Sequence, residues 1–422
     1  MDIFKAYDIR GVYPTELNAD TAFELGRSIA TAYPKRKIFV NNDNRGGSIA
    51  IRSSFTLGLV HSGATVYELN MGPVCVPAFA SFNERGYGVC ISASHNPAEY
   101  TGILSFLNGT TITPEKIKKI FDSKGFSKKM GKTIPYHYDD KYIKYITKGI
   151  RNVGLKIGVD CMGGSGTFIV PECLELAGLD ARMMNDKPSE NFYGKIPEPS
   201  KENSKELSDI VKKEKLDFGI QLDGDCDRVI FIDENGDFVD PVTAALIFIK
   251  FMKIKNSVVN VACPSIIERY SKVKYTRVGG PFMEPYLKKT CDFGFEVSSH
   301  FYFGKYYPFS DGILASLLMS RILKKWGKSM SELVNTFPEL YYGLSTAKFN
   351  AEEERTGKMA EISYKISKLG KTIKIDGIKV MLNDGFILFR ESNTEPLIRA
   401  YYEGKDRRSY ERIKRMVEDI LE

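Results

Sequence analysis

Residues 37–43, KIFVNND, lead into residues 48–63, SIAIRSSFTLGLVHSG, and then into residues 64–70, ATVYELN. The outer runs are β-branched and apolar over strand length. The stretch between them has the length of a helix, so the order reads strand, helix, strand. That order returns twice. LKIGVDC (155–161) passes through the loop MGGSG (162–166) to TFIVPECLELAGL (167–179) and DARMMN (180–185). SVVNVAC (257–263) passes through PSIIERYSK (264–272) to VKYTRVG (273–279). Repeated units of this kind imply a mostly parallel sheet covered by helices, and three copies imply three related α/β domains.

The tail follows another pattern. KTIKIDGIKVML (371–382), GFILFR (385–390) and LIRAYYEG (397–404) read as short strands broken by Asp-Gly turns. RSYERIKRMVEDILE (408–422) then places Ile413, Met416, Val417, Ile420 and Leu421 on one helical face. A smaller α+β C-terminal domain follows, and the expected divisions are 1–139, 140–239, 240–340 and 341–422.

A chain of 422 residues accommodates three domains of ordinary size or four smaller ones. No apolar run approaches the ~18 residues of a membrane helix, and the N-terminus MDIFKAYDIR lacks a signal-peptide pattern, which points to a cytoplasmic protein. The seven cysteines are scattered without a CxxC pair, as reduced thiols would be. The net charge of +7 is spread over short lysine groups without interleaved aromatics, so no nucleic-acid stripe is expected.

Four stretches could carry chemistry. In LDGDCDR (222–228), Asp223, Asp225 and Asp227 alternate with small residues between two strand candidates, so their carboxylates converge. Converging negative charges need a cation, and oxygen-only ligands favour Mg²⁺ or Ca²⁺. Arg228 next door suits a phosphate contact. A calcium loop of the EF-hand type is disfavoured because its sixth position is Arg228 where glycine is needed, and a strand follows. An acidic turn balanced by Arg228 is the bland alternative.

In RESNTEPLIR (390–399), Arg390, Ser392, Asn393 and Thr394, with Arg399 beyond, could form an anion site. The same residues fit a polar hairpin turn equally well. In GFEVSSHF (294–301), Glu296, Ser298 and His300 share one strand face and could meet sugar hydroxyls or move a proton. Unaided, that stretch reads more readily as a half-buried polar strand. ISASHNP (91–97) sets Ser94 beside His95, either as a turn serine or as an exposed nucleophile. A serine near a divalent cation could itself carry phosphate.

Taken together, the chain resembles the α-D-phosphohexomutase family, which includes phosphomannomutases and phosphoglucomutases. KAYDIRGV (5–12) is similar to the family's N-terminal motif, ISASHNP to its phosphoserine loop and LDGDCDR to its metal loop. FEVSSH is similar to its sugar loop and RESNTEP to its phosphate loop. The resemblance implies three related α/β domains plus a smaller α+β C-terminal domain around a central cleft. It also implies phosphoryl transfer between the 1- and 6-positions of a hexose phosphate, mannose or glucose, through phosphorylated Ser94 and a sugar 1,6-bisphosphate.

Mg²⁺ would sit on Asp223, Asp225, Asp227 and an oxygen of Ser94, with Arg10, Arg228, His95 and His300 at the reaction centre. Tyr7, Glu296 and Ser298 would read the sugar, and Arg390, Ser392, Asn393, Thr394 and Arg399 would hold the distal phosphate. The partner would be a phosphosugar, with no nucleic acid or membrane, and the chain a monomer or homodimer.

The sequence departs from the family in three places. Leu104 stands where a lysine usually follows the serine loop, and loss of acid–base help costs ~10²–10⁴ in rate unless His95 or His300 replaces it. Phe295 and Ser299 stand where the sugar loop usually has glycines, which predicts a narrower or reshaped sugar site. Cys226 sits between the metal aspartates. These departures keep open a mutase for glucosamine or pentose phosphates, and a sugar-phosphate-binding paralogue with weak or no mutase activity. A phosphatase is a third possibility, but it leaves the distal phosphate loop without a purpose.

Overall fold

The structure, a computed structural model, describes residues 3–392 and 397–422. In the first sheet the strand Lys37–Asn42 pairs in parallel with both Thr65–Glu68 and Tyr87–Ile91, and Tyr87–Ile91 pairs antiparallel with Tyr100–Leu107. The second sheet repeats this arrangement. Lys156–Asp160 lies between Asp180–Met184 and Phe218–Leu222, and Phe218–Leu222 is followed by antiparallel Val229–Ile232. The third repeats it again, with Asn256–Asn260 between Lys272–Thr276 and Phe293–Glu296, then antiparallel His300–Phe303. Central strands such as Tyr87–Ile91 and Phe218–Leu222 are buried along their whole length, because helices and neighbouring elements cover both faces of these sheets. The fold is therefore three related α/β domains, as the repeated pattern requires.

One expectation fails in the third unit. Residues 264–272 do not form an α-helix; a 3₁₀ turn at Ser265–Arg269 makes the crossover. Only residues 261–271 separate the two parallel strands, near the lower limit for a crossover, which leaves room for little more than a turn.

The fourth sheet is wholly antiparallel, in the order Tyr342–Lys348, Leu397–Gly404, Gly385–Glu391, Ile378–Leu382, Lys371–Ile373. The helix Arg407–Leu421 starts at an Asp406 capping box. It buries Ile413 and Val417 against this sheet, with Met416, Ile420 and Leu421 packed around them. That domain has its own core, whereas one continuous core runs through the first three. All seven cysteines are free and buried, and no helix among the described residues is long and apolar enough to cross a membrane.

The repeats also place the chemistry. In each of the three related sheets, the loop between the third parallel strand and the antiparallel strand carries one candidate motif. The serine loop follows Ile91, the metal loop follows Leu222 and the sugar loop follows Glu296. Ligands of open α/β sheets gather at these carboxyl ends.

Candidate active site

The serine loop and the metal loop meet. Ser94 Oγ donates to Asp223 Oδ2 at 3.3 Å, and Ser92 Oγ donates to Asp225 Oδ2 at 3.0 Å. The carboxylates of Asp223, Asp225 and Asp227 present oxygens within 4.8 Å of one another, all in buried residues. The metal loop is gripped from three domains. The Val74 N–H donates to the Asp225 carbonyl, the Gly312 N–H to the Cys226 carbonyl, and the Ser165 N–H and hydroxyl to the Gly224 carbonyl. Gly224 is glycine for a reason of space, since a Cβ there would stand 2.8 Å from the Ser94 carbonyl oxygen.

Burial and the neighbouring negative charges push Asp223 well above the ordinary carboxylate range, and Asp225 up to about 7. Burial also acts against the charge of Asp227, but His300 and Arg228 outweigh it and hold that carboxyl low. Among the described residues neither Asp225 Oδ1 nor Asp227 Oδ1, both buried, has a hydrogen-bond partner, although Asp227 Oδ1 lies 3.5 Å from His300 Nε2 and 3.8 Å from Arg228 Nε. Carboxylate oxygens without hydrogen bonds in a buried cluster of three acids fit a hard divalent cation such as Mg²⁺.

Four cationic or imidazole groups surround the serine loop. Arg228 donates from Nη2 to His95 Nδ1 at 2.8 Å, from Nη1 to Glu198 Oε1 at 3.3 Å and from Nε to His300 Nε2 at 3.2 Å. His95 Nδ1 also lies 3.2 Å from Ser94 Oγ. The Arg228 charge, then burial and Arg10, hold His95 well below its usual range, which favours the neutral ring, and its Nδ1 is shared between Arg228 and the Ser94 hydroxyl. Arg10 reaches the loop because the strand Ile9–Val12 pairs with Tyr100–Leu107, and it contacts Asn96 and Asp8. Leu104, on that same partner strand opposite Cys90, is half-buried against the core and brings no charge.

The sugar loop joins through backbone: Arg228 and His300 form an isolated β-bridge, and the Val229 N–H donates to the Ser299 carbonyl. Ser298 Oγ lies 2.9 Å from His300 Nδ1. Glu296 is buried, and its oxygens already accept from Asn260, the Gly279 N–H and Tyr302. The narrowing expected of Phe295 does not occur. Its side chain points into the core, 5.4 Å from Phe301, because alternate residues of Phe293–Glu296 face opposite sides of the sheet. Ser299 takes the left-handed conformation a glycine would, with φ +68; Ser94 and Cys226 do likewise at +51 and +68. One residue in each of the three site loops thus bears backbone strain.

The remaining candidates converge less tightly. Tyr7 donates to the Val278 carbonyl at 2.7 Å, and the Val278 N–H donates to Asp376 Oδ2, which also accepts from Arg390 Nε at 3.2 Å. Arg390 is buried, with Nη2 lacking a hydrogen-bond partner, and pairs in register with Arg399. Ser392 is buried and its carbonyl accepts from Arg355. Asn393 and Thr394 lie outside the described residues.

Sequence reasoning missed Arg45. This buried guanidinium donates to the carbonyls of Ser94, Asn96, Pro97 and Tyr100 and to Asp43, and it stacks over Phe192 at 4.7 Å. It holds the serine loop in shape. The run NNDNRGG (41–47), polar immediately after a buried strand, is the signal that could have found it. Arg45→Lys keeps the charge but loses the fork of donors. It is expected to lower kcat by about 10²-fold with little change in KM, through misplacement of Ser94; steady-state kinetics on folded variant check this.

The chain matches models of the phosphoglucomutase/phosphomannomutase family along nearly its whole length. Alpha/beta/alpha domains I, II and III match residues 1–128, 140–236 and 244–341, and the C-terminal domain matches residues 347–420. It is 31% identical to a phosphomannomutase of Methanocaldococcus jannaschii over 99% of this chain and 96% of that one. It is 30% identical to a phosphoglucosamine mutase of Caldicellulosiruptor bescii over 99% and 97%. The fold superposes on a phosphoglucomutase/phosphomannomutase family protein of Burkholderia thailandensis with a TM-score of 0.90, at 24% identity, covering 100% and 97% of the two chains. The chain therefore belongs to the phosphoglucomutase/phosphomannomutase family, the α-D-phosphohexomutases, whose members are isomerases.

Proposed function

We propose that this protein is a Mg²⁺-dependent phosphosugar mutase that moves phosphate between the 1- and 6-positions of a mannose or glucose phosphate through phosphorylated Ser94. The observation that carries this reading is the hydroxyl of Ser94 hydrogen-bonded to an acidic trio that has two buried oxygens without hydrogen bonds. Asp223, Asp225, Asp227 and an oxygen of Ser94 would hold the metal, which when bound supplies charge neutralisation at the transferring phosphate.

Phosphorylated Ser94 passes its phosphoryl group to the substrate's free hydroxyl: the bond from phosphorus to Ser94 Oγ breaks as the new one forms, the hydroxyl proton leaves to a nearby imidazole, His95 or His300, and a proton delivered to Ser94 Oγ restores its hydroxyl. The resulting bisphosphate turns over in the cleft and returns its other phosphate to Ser94. Arg10 and Arg228 face the transferring group. Tyr7, Glu296 and Ser298 serve the sugar, Glu296 by exchanging one of its internal donors for a hydroxyl. Arg390, Ser392 and Arg399, with Asn393 and Thr394, hold the distal phosphate.

A second reading rests on Leu104, which removes a cation from beside the serine loop, and on relatives named as phosphoglucosamine mutases. The chain would then act on glucosamine or pentose phosphates, or bind sugar phosphates with weak or no turnover. A coupled assay with Mg²⁺, a sugar 1,6-bisphosphate activator and a panel of hexose, hexosamine and pentose 1-phosphates separates these readings. Turnover of mannose or glucose 1-phosphate above the rest supports the first. Tight binding without turnover on any sugar removes the mutase. In the same assay Arg390→Ala should raise KM about 10–100-fold for every phosphosugar, the loss of charge-assisted hydrogen bonds. An effect on one sugar alone would mean that this arginine reads hydroxyls.

A further inference from the structure

A cavity lies at the opposite end of the third sheet from the loop that carries Glu296 and His300. It sits where Asp292 enters the strand Phe293–Glu296, between the end of the helix Pro241–Phe251 and the helix Gly312–Trp326. Its volume is about 640 Å³, within the ~300–1,000 Å³ range of small-molecule sites. Phe251, Ile254, Phe303 and Ile322 form apolar walls. The lining also carries four cationic side chains, Lys253, Lys305, Arg321 and Lys325, against the single carboxylate of Asp292.

The charges are not used up locally. Lys305 lies 3.8 Å from Asp292 Oδ1, and among the described residues Arg321 donates only to the Tyr306 hydroxyl, at 3.4 Å. Lys253 and Lys325 have no ion pair among the described residues. Lysines in a last helical turn commonly answer the helix dipole, and that accounts for Lys324 and Lys325. It does not account for Lys305 or Arg321, which lie outside the last turns of the two helices, whereas Lys253 directly follows the Met252 C-cap. Part of the +7 net charge of the chain is thus concentrated around an apolar hollow that the sugar chemistry does not touch.

We propose that this cavity binds an organic anion, its phosphate, sulfonate or carboxylate among Lys253, Arg321 and Lys325 and its aromatic or aliphatic body against Phe251, Phe303 and Ile322. Positive potential over low-dielectric walls concentrates such a ligand, and burial of its body adds a term that free phosphate lacks.

The chain has one tryptophan, Trp326, whose ring stands 5.2 Å from that of the lining residue Phe251, so energy transfer from it reports a probe bound in its vicinity, and the lysine variants below assign that probe to the cavity. The probe is 8-anilino-1-naphthalenesulfonate, titrated against the whole protein with tryptophan excitation. Saturable sensitised emission is expected, and the uncharged N-phenyl-1-naphthylamine should bind about tenfold more weakly. The exposed pair Lys253→Ala with Lys325→Ala should raise the dissociation constant about tenfold at unchanged thermal stability. Saturating glucose 1-phosphate should leave the titration unmoved. Displacement by that sugar phosphate or equal binding in the double variant would each overturn the assignment.

Discussion

Ser94→Ala is expected to remove turnover on every phosphosugar, by about 10⁵–10⁶-fold if Ser94 carries the phosphate, the scale seen when the nucleophile of a covalent mechanism is deleted. The fold should survive. Ser94 is buried, but alanine removes only its Oγ, and the loop is held by the Arg45 fork on backbone carbonyls, which alanine leaves in place. Alanine keeps the +51 φ that serine already tolerates, so the change isolates the hydroxyl. The informative measurement pairs steady-state rates with incorporation of labelled phosphate from a sugar bisphosphate. Loss of both at an unchanged melting temperature supports phosphorylated Ser94. Retention of turnover above about a tenth of the parent rate would exclude a covalent route through this hydroxyl.

Asp225→Asn should have the second largest effect, a fall in kcat of about a thousandfold, from loss of metal-supplied charge stabilisation. It also has a signature independent of activity. In the metal-free protein Asp225 titrates at about 7 and Asp223 is raised too, so the folded state keeps protons that the unfolded chain releases near 4. That contribution to stability is present at acidic pH and is lost as pH rises toward and through 7. His95 and Asp227 are depressed and act in the opposite sense, since their contributions fade as pH falls. The melting temperature with Mg²⁺ minus that without it removes the common terms. This increment should grow between about pH 6 and pH 8, as the trio ionises and the cation offsets repulsion the apo protein must bear. In Asp225→Asn the increment should collapse, while the apo protein at about pH 8 becomes more stable by relief of a buried like charge. A variant that keeps the full Mg²⁺ increment would remove Asp225 from the metal site.

Stability of the apo trio and catalysis thus pull against each other. The three acids are close enough to repel, and the backbone at Ser94, Cys226 and Ser299 sits in the left-handed region that favours glycine. Contacts from three domains hold this arrangement: Val74, Gly312 and Ser165 on the metal loop, and Arg45 on the serine loop. A strained and charged site in a rigid shell is what electrostatic preorganisation requires.

The sequence by itself determined the three related domains, because period and propensity are local signals that each strand and helix carries in its own residues. It also made the dense motifs visible, since Asp223, Asp225 and Asp227 stand at alternate positions between two strands, although the turn that brings their carboxylates together is held by contacts from three domains. Only the tertiary structure decided which groups serve one another. The bonds from Ser94 to Asp223 and from Ser92 to Asp225 join residues 129 and 133 positions apart, and no local pattern encodes such a meeting. The same holds for Arg45, whose partners lie on a loop far along the chain, and for Phe295, whose side of the sheet was fixed by strand pairing. Domain packing, a sum of many long-range contacts, sets those choices, so residue types alone left them open.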